Sequence, residues 1–428
     1  MKEEILHFIW KTGLFKQYAL KTTCGRDINI LSPGTQNFHA GPDFFNARIR
    51  IGQTLWAGNV EIHMRSSDWE RHGHHLDAAY NNVILHVVTI EDATTLNSLR
   101  RSIHTLQLNF PDPLLSFYNA LQTEESWLPC HSHIHHVSRV RLKHWLTLLQ
   151  GERLEQKSQH ISNLLFRCRL NWEETLCLTL ASAFGLPINT LPFELTLSGI
   201  PYPLMVQNRD SLDDLEAILF GQAGFLEGGL KGEPYASNLH SRFLKFQKEV
   251  RGRPVNQHLW KFLRLRPASF PTLRISQFAS LLHTRIPLLE TILNATSKTE
   301  IEQLLRVESS PYWDTHYLFG KCSPESSKIM GHQAILTLII NGLIPFLFAF
   351  GRTFSHEPAI DLGNILLHKT EAESNQIIKK WAEFGIVPRG AFESQALIQL
   401  HNAYCKQKRC LNCQIGAGFI QQEAHEKQ

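Results

Sequence analysis

Between Phe44 and Arg65 the chain carries the pattern of a β-hairpin. Apolar Ala47, Ile49 and Ile51 alternate with polar Arg48 and Arg50. After the turn-like Gly52-Gln53, a second run puts Val60, Ile62 and Met64 on one face and Glu61, His63 and Arg65 on the other. Side chains of a strand alternate between its two faces, so this pattern predicts two half-buried strands joined by a tight turn. Asp43, in Gly41-Pro42-Asp43-Phe44, stands at the start of the first strand, eighteen positions before Glu61. An acid on one strand, then an acid and a base one residue apart on the next, is an economical way to gather a divalent-metal site.

The residues beyond the hairpin extend the pattern. Ser67-Asp68-Trp69-Glu70 has the form of a capping box opening a helix, which Gly73 interrupts. Val83 to Val88 is a nearly unbroken apolar run, as expected of a strand buried on both faces. A strand reached from its predecessor through a helix is most simply parallel to it. Lys2 to Phe15 reads as an amphipathic helix in which Glu3 or Glu4 offers a further acid.

Two carboxylates suit a hard cation that also takes phosphate oxygens, so Asp43 and Glu61 are candidate ligands for magnesium or manganese. His63, with an ordinary imidazole pKa of about 6.5, is placed to orient or deprotonate water. Arg65, His72 and His75 are candidates for contact with substrate phosphate. The plainer alternative is a Pro-Asp turn followed by the solvated face of a strand.

Pro42-Asp43 followed by Glu61-x-His63 resembles the signature of the restriction-endonuclease-like, PD-(D/E)XK nuclease superfamily. That pattern is Pro-Asp, a hairpin, then acid-x-lysine, on a core of helix, three strands, helix and strand. The resemblance covers roughly the first hundred residues and implies a metal-dependent nuclease, with Asp43 and Glu61 as the metal-binding acids. His63 stands where that superfamily usually has lysine, and a histidine is no fixed cation at neutral pH. Over nearly its full length the chain also resembles a bacterial family known as domain of unknown function 2851. The residues that carry this are Gly-Pro-Asp-Phe at 41–44, Gly-Asn-Val-Glu-Ile-His at 58–63, Tyr-Asn-Asn-Val-Ile-Leu-His-Val-Val at 80–88, Phe-Gly-Gln-Ala-Gly at 220–224, Arg-Leu-Arg-Pro at 264–267 and Cys-Leu-Asn-Cys at 410–413. That resemblance implies no activity.

The 428 residues allow two or three domains, and a net charge of +4 advertises no global field for nucleic acid, so a local groove would have to supply it. The N-terminal acids Glu3 and Glu4, with Lys11 and Lys16 interrupting the apolar residues, argue against a signal peptide. Ala334 to Phe350 carries no charge but includes Asn341, Gly342 and Pro345, and is read as a buried, kinked helix rather than a membrane span. Eight cysteines without an export signal point to thiols or metal ligands in a reducing, cytoplasmic setting.

Beyond about Leu114 strand alternation gives way to helical periodicity. The expected architecture is therefore α+β or α/β: a nuclease-like mixed sheet with flanking helices over 1–113, then a larger, mainly α-helical domain over 114–428. The second part holds basic and aromatic residues at Trp260 to Pro267, which suit phosphate contact and base stacking, or helix ends.

Histidine and cysteine cluster three times. His72, His74, His75 and Asp77 suggest a zinc or manganese site, and a zinc-dependent hydrolase built on them is one alternative function. Cys130 with His131, His133, His135 and His136 forms a second group. The third, His401-x3-Cys405-x4-Cys410-x2-Cys413, has donors and spacing for structural zinc. An iron–sulfur cluster, completed by an upstream Cys322 or Cys130, is the other option there. A non-catalytic nucleic-acid-binding or scaffold protein on the nuclease fold is the remaining alternative, with no membrane and no small-molecule cofactor in view.

Overall fold

A computed structural model describes residues 3–15, 19–227 and 232–425. Helix α1, Glu3–Thr12, buries Ile5, Leu6, Ile9 and Trp10, the stripe its periodicity dictates. Its Trp10 indole N–H donates to the Pro33 carbonyl at 3.0 Å. Lys2, which the expected helix includes, lies outside the described residues.

The hairpin forms as its alternation requires. Strands β1 (Ile28–Ser32), β2 (Thr35–Gln36), β3 (Phe44–Ile51) and β4 (Thr54–Arg65) are followed by the short helix α2 (Asp68–Arg71), then β5 (Val83–Ile90) and β6 (His104–Gln107). The sheet order is β1-β3-β4-β5-β6, with β2 also pairing β3. β3 runs antiparallel to β1 and β4, whereas β4, β5 and β6 run parallel. The parallel crossover from β4 to β5 is tighter than the periodicity suggests: α2 has four residues, Gly73 turns the chain out of it at φ +79°, and a single 3₁₀ turn follows at Ala78–Tyr80. Ser67 makes no side-chain cap; its N–H and hydroxyl donate to the Asp92 carboxylate instead.

Gly58 lets β4 and β5 approach. A Cβ there would sit 2.5 Å from Ile84 Cγ2 and 2.7 Å from the Asn82 carbonyl oxygen. The β5 run from Val83 to Val88 is buried on both faces. Trp69, Tyr80, Val83 and Ile103 form a small apolar cluster beside it. Burying each such side chain contributes about 1.5–3 kcal/mol, which holds the α2 turn against the sheet.

Two compact units divide the chain. The first comprises the residues to Trp145 together with those from His401; the second is Leu146–Leu400. The sequence places a single boundary at 113–114. Contacts move it because α3, Asp112–Thr123, packs with the terminal helix Gln414–His425, so the C-terminal segment belongs to the sheet unit.

Among its described residues the second unit is mainly helical, with a two-stranded pair at His316–Leu318 and Lys321–Cys322. Its largest apolar core is built from helices such as Trp172–Phe184, Leu212–Gln222 and Pro271–Arg285. α4, Arg139–Arg167, contains the boundary residue. The uncharged stretch is continuous helix over His332–Phe354, with a π-helical segment at Ile339–Leu343 just before Pro345. It is long and apolar enough to cross a membrane, and 78% of its most apolar window is buried inside the protein. In the basic–aromatic stretch, Trp260 is core: its indole N–H donates to the Ala223 carbonyl at 2.8 Å.

Candidate metal site and adjoining cleft

The two acids meet through the backbone. The Asp43 N–H donates to Glu61 Oε2 at 3.1 Å, and the Ile62 N–H donates back to Asp43 Oδ2 at 2.9 Å. Irregular register between Phe44 and Ala47 of β3 and between Asn59 and Val60 of β4 adjoins this clasp on one side. Glu61 thereby spends one oxygen on the backbone and turns the other, Oε1, toward histidines. His63 Nε2 lies 3.5 Å from Oε1 and His74 Nε2 lies 3.3 Å from it.

The imidazoles form a chain. His63 Nδ1 is 2.9 Å from His86 Nε2, and His86 Nδ1 is 3.0 Å from the Thr95 hydroxyl. At the other end, His72 Nδ1 is 3.1 Å from His63 Nε2. The tight turn after α2 carries His72 and His74 back to His63 and Glu61 on β4, and Tyr80 stacks on the His74 ring at 3.8 Å. On the other flank, His7 Nε2 from α1 approaches Asp43 Oδ2 at 3.3 Å, buried and without an aligned hydrogen bond.

Burial dominates the electrostatics. It drives His63 down to about 2, helped by the imidazoles of His86, His72, His74 and His7, and drives His86 down to about 3. Both rings are neutral at physiological pH. Burial pushes Glu61 up, opposed by His74 and reinforced by the Asp43 charge. Burial works against the His7 cation, yet the Asp43 carboxylate, with Glu3 and Glu61 behind it, wins and raises it.

These donors fit a metal ion. Tetrahedral coordination with bonds of about 2.0–2.1 Å spaces ligand atoms about 3.3–3.4 Å apart, against the 3.1, 3.3 and 3.5 Å found here. Ligand atoms of His63, His72 and His74 all lie within 4.8 Å of one another. Three imidazoles and a carboxylate suit zinc, manganese or iron better than magnesium, which prefers an all-oxygen shell. A second group meeting the same distance test, Glu302, His332 and Glu371, is exposed or half-exposed and already neutralised by Lys298, 2.7 Å from Glu371.

Asp43, Glu61, His63 and His72 are thus brought together. Arg65 shares their strand face but lies two residues further on, exposed and paired with Asp92 at 3.3 Å. His75 has a buried Nδ1 without a partner and no contact with the group. His74, not His75, is the second histidine of the turn to reach Glu61. His86 and His7 are two members that the sequence pattern does not single out. His86 interrupts the apolar β5 run opposite Glu61, and His7 stands on the helix where Glu3 or Glu4 is expected to contribute.

At the C-terminus, and among the described residues, no three of Cys405, Cys410, Cys413 and His401 bring their ligand atoms within 4.8 Å of one another. His401 stacks on Trp127 at 4.1 Å, its buried Nδ1 without a partner. Cys322 is elsewhere, exposed in the helical unit beside His316 Nε2 at 3.4 Å.

A cleft of about 680 Å³ opens beside His7. Lys11, Lys408 and Arg409 give it positive charge, and Phe38, Tyr118 and Tyr404 give it rings. Arg409 lies over the Tyr404 ring at 5.2 Å, and Lys408 reaches the Gln122 carbonyl at 2.6 Å.

Fold and site together define a two-unit α+β protein with a histidine–carboxylate cluster on a mixed sheet, buried at Glu61, His63 and His86 and open to solvent at His72. The chain belongs to the family described as protein of unknown function (DUF2851), whose model matches residues 3–376. No curated protein and no solved structure matches it. The matched span includes every residue of the histidine–carboxylate cluster and stops short of the terminal cysteines.

Proposed function

We propose that this chain is a metal-dependent phosphodiester hydrolase acting on nucleic acid, its N-terminal unit a variant of the restriction-endonuclease-like fold. The observation that carries the reading is the meeting of Asp43 and Glu61 with His63, His72 and His74, flanked by His7, which also lines a cleft that is both basic and aromatic. The order helix, antiparallel strands, short helix, parallel strand supports the fold assignment.

Glu61, His63, His72 and His74 would hold the ion, with Asp43 and His7 on its flank. Such an ion supplies polarisation of a phosphate oxygen and activation of water near neutral pH. His63, buried and neutral, serves as a ligand and not as the fixed cation that a lysine would provide. His86 holds the His63 ring through Nδ1, leaving Nε2 to face Glu61. Lys11 and Arg409 take phosphates, while the exposed Phe38 offers a face for a base. A zinc-type hydrolase acting on another substrate is the second reading, favoured by the three imidazoles.

The test is cleavage of labelled single- and double-stranded DNA and RNA with manganese, zinc, magnesium or a chelator. Polynucleotide cleavage that requires manganese or zinc supports the nuclease. Metal binding at the cluster with neither cleavage nor oligonucleotide binding moves the assignment to the second reading.

A further inference from the structure

We propose that a pocket in the helical unit, walled by Arg274 and by the apolar side chains of Phe184, Leu186 and Met330, binds a small organic carboxylate. The pocket holds about 200 Å³. An apolar cavity of about 150 Å³ takes a benzene molecule, so this space suits one ring or a short branched chain carrying a single acidic group. Every residue that lines it belongs to the unit Leu146–Leu400.

Arg274 is a cation without a counter-ion. None of the residues lining the pocket is an aspartate or a glutamate. Among the described residues the guanidinium has one hydrogen-bond partner, and that partner is neutral: Nη1 donates to Gln277 Oε1 at 2.9 Å. Gln277 is itself buried and held, its Nε2 donating to the Lys328 carbonyl at 2.9 Å. The amide therefore fixes the arginine and leaves its charge uncompensated. Burial alone pulls the Arg274 pKa down to about 10, so the group remains a cation at neutral pH. An arginine so placed has N–H groups to spare, and its planar fork donates to both oxygens of a carboxylate.

The rest of the pocket favours the same charge and limits its size. Two helices begin at its wall, Pro271–Arg285 and the continuous His332–Phe354, and neither has a side-chain cap. The positive end of a helix macrodipole attracts an anion. With one cation and largely apolar walls, a phosphate dianion would keep one charge unbalanced, whereas a monocarboxylate is matched. Pro187 and Gln333 are exposed at the rim, which gives a ligand its way in. None of this rests on the metal site.

The test measures melting temperature and calorimetric binding of benzoate, phenylacetate, benzamide and inorganic phosphate with the full chain. Benzoate or phenylacetate should bind and raise the melting temperature, while benzamide and phosphate should bind about tenfold more weakly or worse. Arg274→Met, which removes the charge at similar length, should weaken carboxylate binding by about ten- to a hundredfold. Ala334→Leu, which narrows the pocket, should weaken it as well, with circular dichroism reporting the fold of each variant. No binding of either carboxylate, benzamide equal to benzoate, phosphate tighter than both carboxylates, or unchanged affinity in a folded Arg274→Met would overturn the proposal. The comparison of benzoate with benzamide uses the native chain alone, so it decides even where a variant fails to fold.

Discussion

His63 Nδ1 lies 2.9 Å from His86 Nε2, and both rings are buried. Two imidazoles this close cannot both be protonated without heavy cost, and burial already holds His63 near 2 and His86 near 3. Their folded values lie below the unfolded value of about 6.5, so between these limits the unfolded chain binds more protons. Chelator-treated protein should therefore keep this stability above about pH 6.5 and lose it progressively as pH falls toward 3. Thermal melts from neutral to acid pH should show the loss, and His86→Gln should flatten it. A wild-type melting curve insensitive to pH below about 6.5 would contradict the neutral pair.

The helical unit should respond in a different window. Burial drives the Lys157 ammonium down to about 7, with the Arg153 cation adding to the shift, while its nitrogen is held 2.7 Å from Asn341 Oδ1 and 3.0 Å from Gln395 Oε1. Above its folded pKa the buried amine is neutral while the unfolded chain still carries the proton. Stability should therefore rise with pH between about 7 and 10.4 from this residue, and below about 7 its contribution should be flat. Lys157→Met removes that slope. Denaturant unfolding at several pH values measures it, and an unchanged slope in the variant would assign the effect elsewhere.

Gly58→Ala tests whether strand approach positions the site. Its Cβ would meet the Asn82 carbonyl, which is backbone and cannot swing away. A destabilisation of about 1–3 kcal/mol is expected, with weakened metal binding because Glu61 and His63 on β4 shift relative to His86 on β5. Wild-type stability and metal affinity in this variant would show that the sheet yields without cost.

The legible part of this fold is what local periodicity encodes. Alternation at Ala47–Ile51 and Val60–Arg65 is a property of a few consecutive residues, so the hairpin and the convergence of Asp43, Glu61 and His63 can be read from it. His86 is concealed because it sits in an apolar run, where burial on both faces leaves no alternation to mark a functional side chain. The return of the C-terminal segment to the sheet unit is a contact across more than half the chain that no spacing rule contains. Arg65 misleads for a local reason: same-face position on a strand does not show that Asp92, from the loop after β5, already occupies the guanidinium.

Nucleic acid in the cleft should release counterions in proportion to the cations that contact phosphate. Removing Lys11 or Arg409 by alanine should weaken oligonucleotide binding across sequences and lower the slope of log affinity against log salt by about one for each. Fluorescence anisotropy over a salt series reads both. Unchanged slopes would place the binding surface away from this cleft.

If a catalytic metal is held here, Glu61 joins the histidines in holding it. Glu61→Gln keeps an acceptor for the Asp43 N–H while removing the charge that faces His63 and His74. The deciding measurement compares wild type and this variant for manganese or zinc affinity and for cleavage of a labelled polynucleotide in the same preparations. Glu61→Gln should keep a near wild-type melting temperature, bind metal about ten- to a hundredfold more weakly, and lose cleavage. Equal metal affinity and equal cleavage in the two proteins would contradict it.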